Sequence, residues 1–148
     1  MATTYSVSPT NFRTVTQQCA ECLDIEVGKP GLFSNGITIR VAKRPSGLFQ
    51  LFVQIGLTLP TGHVEDFALH YACSGKSSII QLNLIQVIGP DGTTVIWETQ
   101  APQTGSGVYS PHLDRPIPFT GSLDFTVGLG FADLKDTIQI GALTFTVD

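Results

Sequence analysis

Charge is the first thing that this sequence has little of. Only 14% of its 148 residues are Asp, Glu, Lys or Arg, and the formal net charge is −4, whereas an average soluble domain has about 25% charged residues. The longest basic run is the pair Lys43-Arg44. Because nucleic-acid binding needs several clustered cations, we expect no nucleic-acid partner. The low charge also disfavours a helical bundle, whose solvent faces need Lys and Glu.

Long apolar runs are absent as well. The most apolar stretch, IIQLNLIQVI (79–88), is interrupted by Gln and Asn, and a membrane helix needs about 20 apolar residues. The N-terminal residues show no apolar run after a basic start, which disfavours a secretory signal. We therefore expect no membrane contact and a cytoplasmic location, and export by a non-classical route stays open.

Cysteine is scarce, with Cys19 and Cys22 forming a CxxC pair and Cys73 lying far along the chain. In redox enzymes this motif opens a helix inside a βαβ unit, and no such pattern is present. A closed zinc site needs two further ligands at matched spacing. We expect ordinary thiols, no metal and no cofactor, and an occasional disulfide between Cys19 and Cys22 stays open.

Catalytic signatures are missing too. His63, His70 and His112 are accompanied by no GxSxG elbow or other nucleophile motif. Glu65 and Asp66 are adjacent and would point to opposite faces of a strand, so they do not form a glycosidase pair. These absences favour a protein that is not an enzyme. The catalytic alternative is an isomerase or cyclase acting on an apolar small molecule, with Asp66 and His70 as the first pair to test.

Two-residue alternation is what the sequence has in abundance, and it predicts strands. It runs through GITIRVA (36–42), FQLFVQIGLTLP (49–60), EDFALHYAC (65–73) and LDFTVGLGF (123–131). A hairpin is predicted where GPDG (89–92) separates two apolar arms, because Pro, Asp and Gly favour a tight turn. Both arms are apolar on both faces, so we expect this hairpin to lie mid-sheet or under a loop.

The last strand contains a phase slip. Ile138 and Ile140 hold one parity, whereas Leu143 and Phe145 hold the other, with Gly-Ala at 141–142 between them. One extra residue in a strand is a β-bulge, and without it half of the strand would turn its apolar side to water. We therefore predict a bulge at 141–142.

Helix is scarce. The segment TNFRTVTQQCAECLDI (10–25) fits either a short helix or an initial strand over FRTVTQ (12–17), and the strand is favoured because Thr and Val prefer that conformation. FADLKDT (131–137) suggests a single turn between the last two strands.

About eight alternating strands with regular turns indicate an all-β fold. We predict a single domain over residues 1–148, built as an antiparallel two-sheet β-sandwich of jelly-roll type, with residues 1–24 as a less regular N-terminal segment. A small closed β-barrel is the alternative.

A series of short motifs occurs in order: VGKPG (27–31), LPT (59–61), the GPDG hairpin, RPIPF (115–119) and VGLGF (127–131). Their order and spacing resemble a family of small uncharacterised microbial β-sandwich proteins, with a GKPG-like segment, an Asp-Gly hairpin and a glycine-containing strand ending in Phe. The resemblance spans residues 25–148, although the family usually has an aromatic residue where this chain has Pro90. It implies the sandwich fold and no site residues.

The segment 100–118 is too long for a plain hairpin loop and contains four prolines. A proline-stiffened crossover between the sheets is favoured, because most proline-rich connections only route the chain. The alternative is a ligand site for a sugar or polar small molecule at Tyr109, His112, Asp114 and Arg115, since long loops on rigid sandwiches often carry binding. Trp97, in an apolar hairpin arm, is expected in the core.

A second candidate surface lies opposite the core residues of two strands. Glycine in a strand often marks the close approach of another backbone or ligand, so we expect a small, uncharged sheet face that packs against a second copy. Its residues are Gln50, Phe52, Gln54, Gly56, Thr126, Gly128 and Gly130. The alternative is that glycine relieves crowding where the sheet coils.

These observations favour a non-catalytic binding or assembly protein that self-associates into a homo-oligomer through the small-residue face. A carbohydrate-binding module or lectin is the first alternative, by analogy of fold, and the isomerase or cyclase is the second.

Overall fold

The computed structural model describes residues 1–14, 17–28, 36–43, 51–88, 90 and 92–148. Within them the helical elements are a turn of 3-10 helix at Pro9–Asn11 and a short helix at Gln17–Cys22. The strands, numbered along the chain, are β1 (Thr3–Val7), β2 (Arg13–Thr14), β3 (Leu23–Val27), β4 (Ile37–Val41), β5 (Leu51–Leu57), β6 (Gly62–Cys73), β7 (Ser78–Val87), β8 (Thr93–Thr99), β9 (Ser106–Tyr109), β10 (Ile117–Phe119), β11 (Leu123–Gly130) and β12 (Thr137–Val147).

The strands form two antiparallel sheets. Sheet A has the order β10-β6-β12-β4-β3, with β9 pairing beside β10 on β6 and β1 pairing on β12. Sheet B has the order β2-β5-β11-β7-β8. The prediction of an all-β, two-sheet sandwich is confirmed, and the closed barrel is not formed. The described residues form twelve strands where about eight were expected. The additional strands are short, with two to five residues each: β1, β2, β3, β9 and β10.

The core forms where the alternating residues of the two sheets face each other. In β6 and β11 the predicted inward positions are buried, and Phe67, Phe125 and Phe145 are at most 1% exposed. Their rings contact one another with centroids 5.5 to 5.8 Å apart. Burial of such large side chains is the main stabilising contribution of the sandwich.

The bulge predicted in the last strand is confirmed. The register of β12 against β6 shifts between Ile140 and Leu143. As a result, both Ile138 and Phe145 are fully buried despite their opposite parity. The extra residue therefore keeps both halves of the strand facing the core.

The predicted hairpin joins β7 and β8, whose register brings Val87 opposite Thr93; its turn residues 89 and 91 lie outside the described part. The hairpin was expected to lie mid-sheet or under a loop, and the mid-sheet position is correct for β7 only. β8 is an edge strand of sheet B, and Val95 is 51% exposed. Ile96 and Trp97 are half-buried at the open side of the sandwich, where they share a cavity with residues of the segment 112–118.

The N-terminal segment combines both conformations that its sequence allows. Of the predicted strand 12–17 only Arg13–Thr14 is strand, and the chain then forms the Gln17–Cys22 helix, with residues 15–16 outside the described part. β1 pairs with β12 and joins this segment to sheet A. Cys22 and Cys73 are buried free thiols, whereas the side chain of Cys19 lies outside the described part. None of the helices described is long and apolar enough to cross a membrane.

Candidate functional site

The segment 100–118 runs along one open side of the sandwich, between the edge of sheet B at β8 and the edge of sheet A at β9 and β10. After β8 the chain returns to pair Gln103 with Ile79, through mutual backbone hydrogen bonds of 3.0 and 2.8 Å. It then crosses to sheet A, where the Cys73 N–H donates to the Gly105 carbonyl at 2.7 Å. The remaining residues, 110–116, pass across the open side before β10 begins.

Trp97 lies at this open side. It is opposite Leu84 in the β8–β7 register, which directs its side chain toward the space between the sheets. Its ring meets the ring of Phe67 edge-on, with centroids 5.1 Å apart and planes at 84°. Trp97 is half-buried, so the prediction that it belongs to the core describes only one side of the indole.

Two cavities flank Trp97, and we call them together the lateral groove. The first, of about 510 Å³, lies toward β9, and the second, of about 260 Å³, lies toward β10. Both include Trp97 and His112 in their walls. The lateral groove is lined mainly by Trp97, Glu98, Gln103, Val108, Tyr109, His112, Asp114, Arg115 and Pro118. Its combined size falls within the range of about 300–1,000 Å³ that is typical of ligand sites.

Hydrogen bonds fix the far wall of the first cavity. The Tyr109 hydroxyl donates to the Ala101 carbonyl at 2.7 Å, and the Tyr71 hydroxyl donates to Gln103 Oε1 at 3.3 Å. Burial raises the pKa of both tyrosines, so their hydroxyls stay protonated as donors at neutral pH. Tyr109 is 4% exposed. It contributes to the cavity by holding the segment in place, rather than by offering the face of its ring.

The other three predicted ligand residues lie in the outer wall. His112, Asp114 and Arg115 are exposed, and His112 Nε2 lies 3.9 Å from Asp114 Oδ1. An exposed pair at this distance contributes little to stability, so these side chains can turn toward a ligand. The structure thus brings all four predicted residues to the lateral groove, with Tyr109 in a supporting position.

Sequence reasoning missed the contribution of β8 to the lateral groove. Trp97 and Glu98 reach it because β8 is an edge strand, and sequence alone gave no strand order. A third cavity, of about 360 Å³, was also missed; it lies beyond Pro118 and includes His63 and Thr120 in its wall. His63 enters it because β10 pairs with the start of β6, which places Pro118 opposite His63.

The residues considered for catalysis do not lie together in the lateral groove. Burial raises the pKa of the Cys73 thiol to about 11, which makes it a poor nucleophile at neutral pH. Asp66 and His70 lie on the outer face of sheet A, away from the phenylalanine core. Within the described ranges, no three His, Cys, Asp or Glu side chains are close enough together to hold a metal ion.

The small-residue face lies on the outer side of sheet B, and it is less bare than its sequence suggests. A Cβ on Gly128 would lie 3.1 Å from the Phe52 ring and 3.3 Å from Ile80. A Cβ on Gly130 would lie 3.0 Å from Ile80. The side chains of the neighbouring strands therefore lean over the glycines and occupy the space that their missing side chains leave.

The rest of this face is polar and uncharged at its centre. Thr126 Oγ1 donates to Gln54 Oε1 at 3.4 Å, and Gln81 Nε2 donates to Asn83 Oδ1 at 3.0 Å. Gly56 is exposed, and Gln50 lies outside the described residues. The outer face of sheet B thus consists of amides and hydroxyls, together with the partly exposed side chains of Phe52 and Ile80.

No protein-family model and no curated protein sequence matches this chain. Solved structures do share its fold. A CBM4 module superposes with a TM-score of 0.58 at 12% identity, over 90% of this chain and 84% of that one. The CBM36-1 domain of a multidomain xylanase from the hindgut metagenome of Trinervitermes trinervoides gives 0.55 at 11% identity, over 97% and 96%.

A third structure, the low-affinity xylan-binding module CBM86 from Roseburia intestinalis, gives a TM-score of 0.53 at 14% identity, over 100% and 96% of the two chains. At these identities the likeness establishes the fold alone. The chain has the two-sheet β-sandwich fold that these carbohydrate-binding modules share over nearly their whole length.

Proposed function

We propose that this protein is a non-catalytic carbohydrate-binding module that holds a glycan in the lateral groove. The observation that carries the proposal is the position of Trp97, the one tryptophan in the sequence. It is half-buried, supported from behind by Phe67, and part of both cavities. The fold likeness supports the same class, since its members include a module in complex with calcium and xylotriose and a xylan-binding module.

The chemistry of the lateral groove suits a sugar. A pyranose ring has an apolar C–H face that packs on an indole, and its hydroxyls at the ring edge donate and accept hydrogen bonds. Here Trp97 supplies the apolar platform, while Glu98, His112, Asp114 and Arg115 supply polar groups around it. Because Phe67 and the tyrosine hydrogen bonds already hold the inner wall, only the exposed side chains of the outer wall need ordering on binding, and this favours affinity.

Trp97→Ala is expected to weaken the binding of xylohexaose at least about tenfold, because large aromatic anchors dominate such sites. His112→Ala, an exposed change that leaves the core intact, is expected to weaken it about threefold to tenfold through lost polar contact. Isothermal titration calorimetry measures both, with circular dichroism to check folding.

The matched control is Asp24→Ala, an exposed residue on β3 at the opposite edge of sheet A, which should bind as the unchanged protein does. Full affinity in both Trp97→Ala and His112→Ala would place the glycan elsewhere and contradict the proposal.

We further propose that the outer face of sheet B mediates self-association. This is supported by the partly exposed apolar side chains of Phe52 and Ile80 and by Val95, which is 51% exposed, around a centre of uncharged amides. Sedimentation at 100 µM is expected to show a dimer. Val95→Lys is expected to shift it toward monomer, because a lysine at an apolar contact position would be desolvated in the interface. If the protein without substitutions sediments as a monomer at this concentration, self-association is contradicted.

A further inference from the structure

The three cavities adjoin one another through shared wall residues. The first and second share Trp97 and His112, and the second and third share Pro118. Each cavity is therefore separated from the next only by the wall residues that the two share. Together they make one track that runs from β9, past the tryptophan, to the start of β6.

The pairing of β6 gives the length of this track. Val108 in the first cavity pairs with His70, and Pro118, at the junction with the third, pairs with His63. These positions are seven residues apart on β6 (70 − 63), which at about 3.3 Å per residue corresponds to about 23 Å. The third cavity extends beyond that point. The track is several times longer than one pyranose ring.

Both ends of the track are open to solvent. Val108, at the β9 end, is 52% exposed, and Thr61 and Thr120, in the wall of the third cavity, are exposed as well. A polymer lying in the track can therefore continue past both ends. A site for a chain terminus would instead need a wall across one end.

The charges along the track are few and of both signs. Glu98 and Asp114 are offset by Arg115, and the histidines at positions 63 and 112 add polar rings. Such a lining offers hydrogen bonds to hydroxyls and no concentration of cations for an acidic sugar. A neutral glycan fits it best.

We infer that the track binds an internal segment of a linear, uncharged polysaccharide, with several consecutive sugar residues between the first and third cavities. This inference rests on the proposed function and extends it, because it names the ligand as a polymer interior and assigns His63 to its far end. His63 touches only chains long enough to reach the third cavity, whereas Trp97 and His112 touch every chain that binds.

The test is calorimetric titration with ladders of xylose, glucose and β-1,4-galactose oligosaccharides from disaccharide to hexasaccharide. Affinity for the best ladder is expected to rise by about tenfold or more with length, as each cavity is filled. His63→Ala should weaken the hexasaccharide about threefold or more and leave the disaccharide unchanged, while His112→Ala weakens both. On a long soluble polymer, more than one protein should bind per chain, since internal segments outnumber ends.

Two results would overturn the inference while leaving the proposed function standing. One is equal affinity for the disaccharide and the hexasaccharide, and the other is a His63→Ala variant that binds the hexasaccharide as tightly as Asp24→Ala does. The absence of binding to all three ladders would instead overturn the proposed function, and the inference with it.

Discussion

Phe67→Ala is expected to lower the free energy of unfolding by about 3–5 kcal/mol, the usual range for a fully buried phenylalanine. Phe67 is 1% exposed and contacts three other rings, those of Trp97, Phe125 and Phe145. The change removes these contacts and leaves a cavity between the sheets, which the rigid strands on either side can fill only in part. Since small domains have about 5–15 kcal/mol in total, this is a large fraction of the stability.

Urea denaturation at 25 °C measures this effect, with Phe67→Leu as the matched control. Leucine keeps most of the buried apolar area and should lose less than half as much stability. The alanine variant should also bind xylohexaose more weakly, because Trp97 loses the ring that supports it. If Phe67→Ala lowers the free energy of unfolding by less than about 1 kcal/mol, the surrounding side chains must close the cavity easily, which would contradict the tight packing of the four rings.

Gln86→Glu is expected to destabilise the protein by about 3 kcal/mol at pH 7, and by much less near pH 4. Gln86 lies on β7 and is 8% exposed. Its side chain contacts the segment in which the chain crosses from β10 in sheet A to β11 in sheet B. Its Oε1 accepts from the Thr120 N–H at 2.9 Å, and its Nε2 donates to the carbonyls of Thr120 and Ser122, the latter at 2.9 Å. Glutamate keeps the acceptor and replaces the donor, so a carboxylate oxygen would face two carbonyl oxygens.

The sign of the pH dependence follows from that geometry. In the unfolded chain the introduced glutamate has a pKa of about 4.3, and in the folded protein burial and the facing carbonyls raise it. Above the folded-state pKa the full penalty applies. As the pH falls below the unfolded value, the acid is protonated in both states and can donate again, so the penalty disappears.

Unfolding free energies of Gln86→Glu and the unchanged protein, compared at pH 4 and pH 7, measure the effect. Gln86→Leu is the control, because it loses the same hydrogen bonds without a titrating group. The loss in unfolding free energy of Gln86→Leu, about 2–4 kcal/mol for the unpaired backbone groups, should not depend on pH. A deficit for Gln86→Glu that is the same at both pH values would contradict the role given to Gln86.

The alternation of residue types predicted the sheets because it reflects a local property, the direction in which successive side chains point. The phase slip between Ile140 and Leu143 even located the bulge, since a strand with a buried face on both sides of a slip must contain an extra residue. The order of the strands is not local, and no pattern within β8 distinguishes an edge strand from a central one. That missing information is why Trp97 was predicted as core.

In the segment 100–118, too, local features were predicted from the sequence, and features that depend on strand pairing were not. The prolines and polar residues of 100–118 suggested a binding loop as one of two interpretations, and the structure brings His112, Asp114 and Arg115 to one groove. The opposite wall, from β8, and the third cavity at His63 depend on which strands pair across the sequence. The glycines at 128 and 130 were interpreted as an empty surface because sequence shows a missing side chain, but not the neighbours, Phe52 and Ile80, that lean into its place.

Trp97 fluorescence tests the central claim most directly, because every change in tryptophan emission comes from this one residue. The protein is titrated with the oligosaccharide that gives the strongest calorimetric signal. A glycan stacked in the lateral groove is expected to shift the emission to shorter wavelength and to protect Trp97 from acrylamide quenching, with the same affinity that calorimetry gives. Saturable binding by calorimetry with unchanged emission and unchanged quenching would mean that the glycan binds away from Trp97, and would contradict the account.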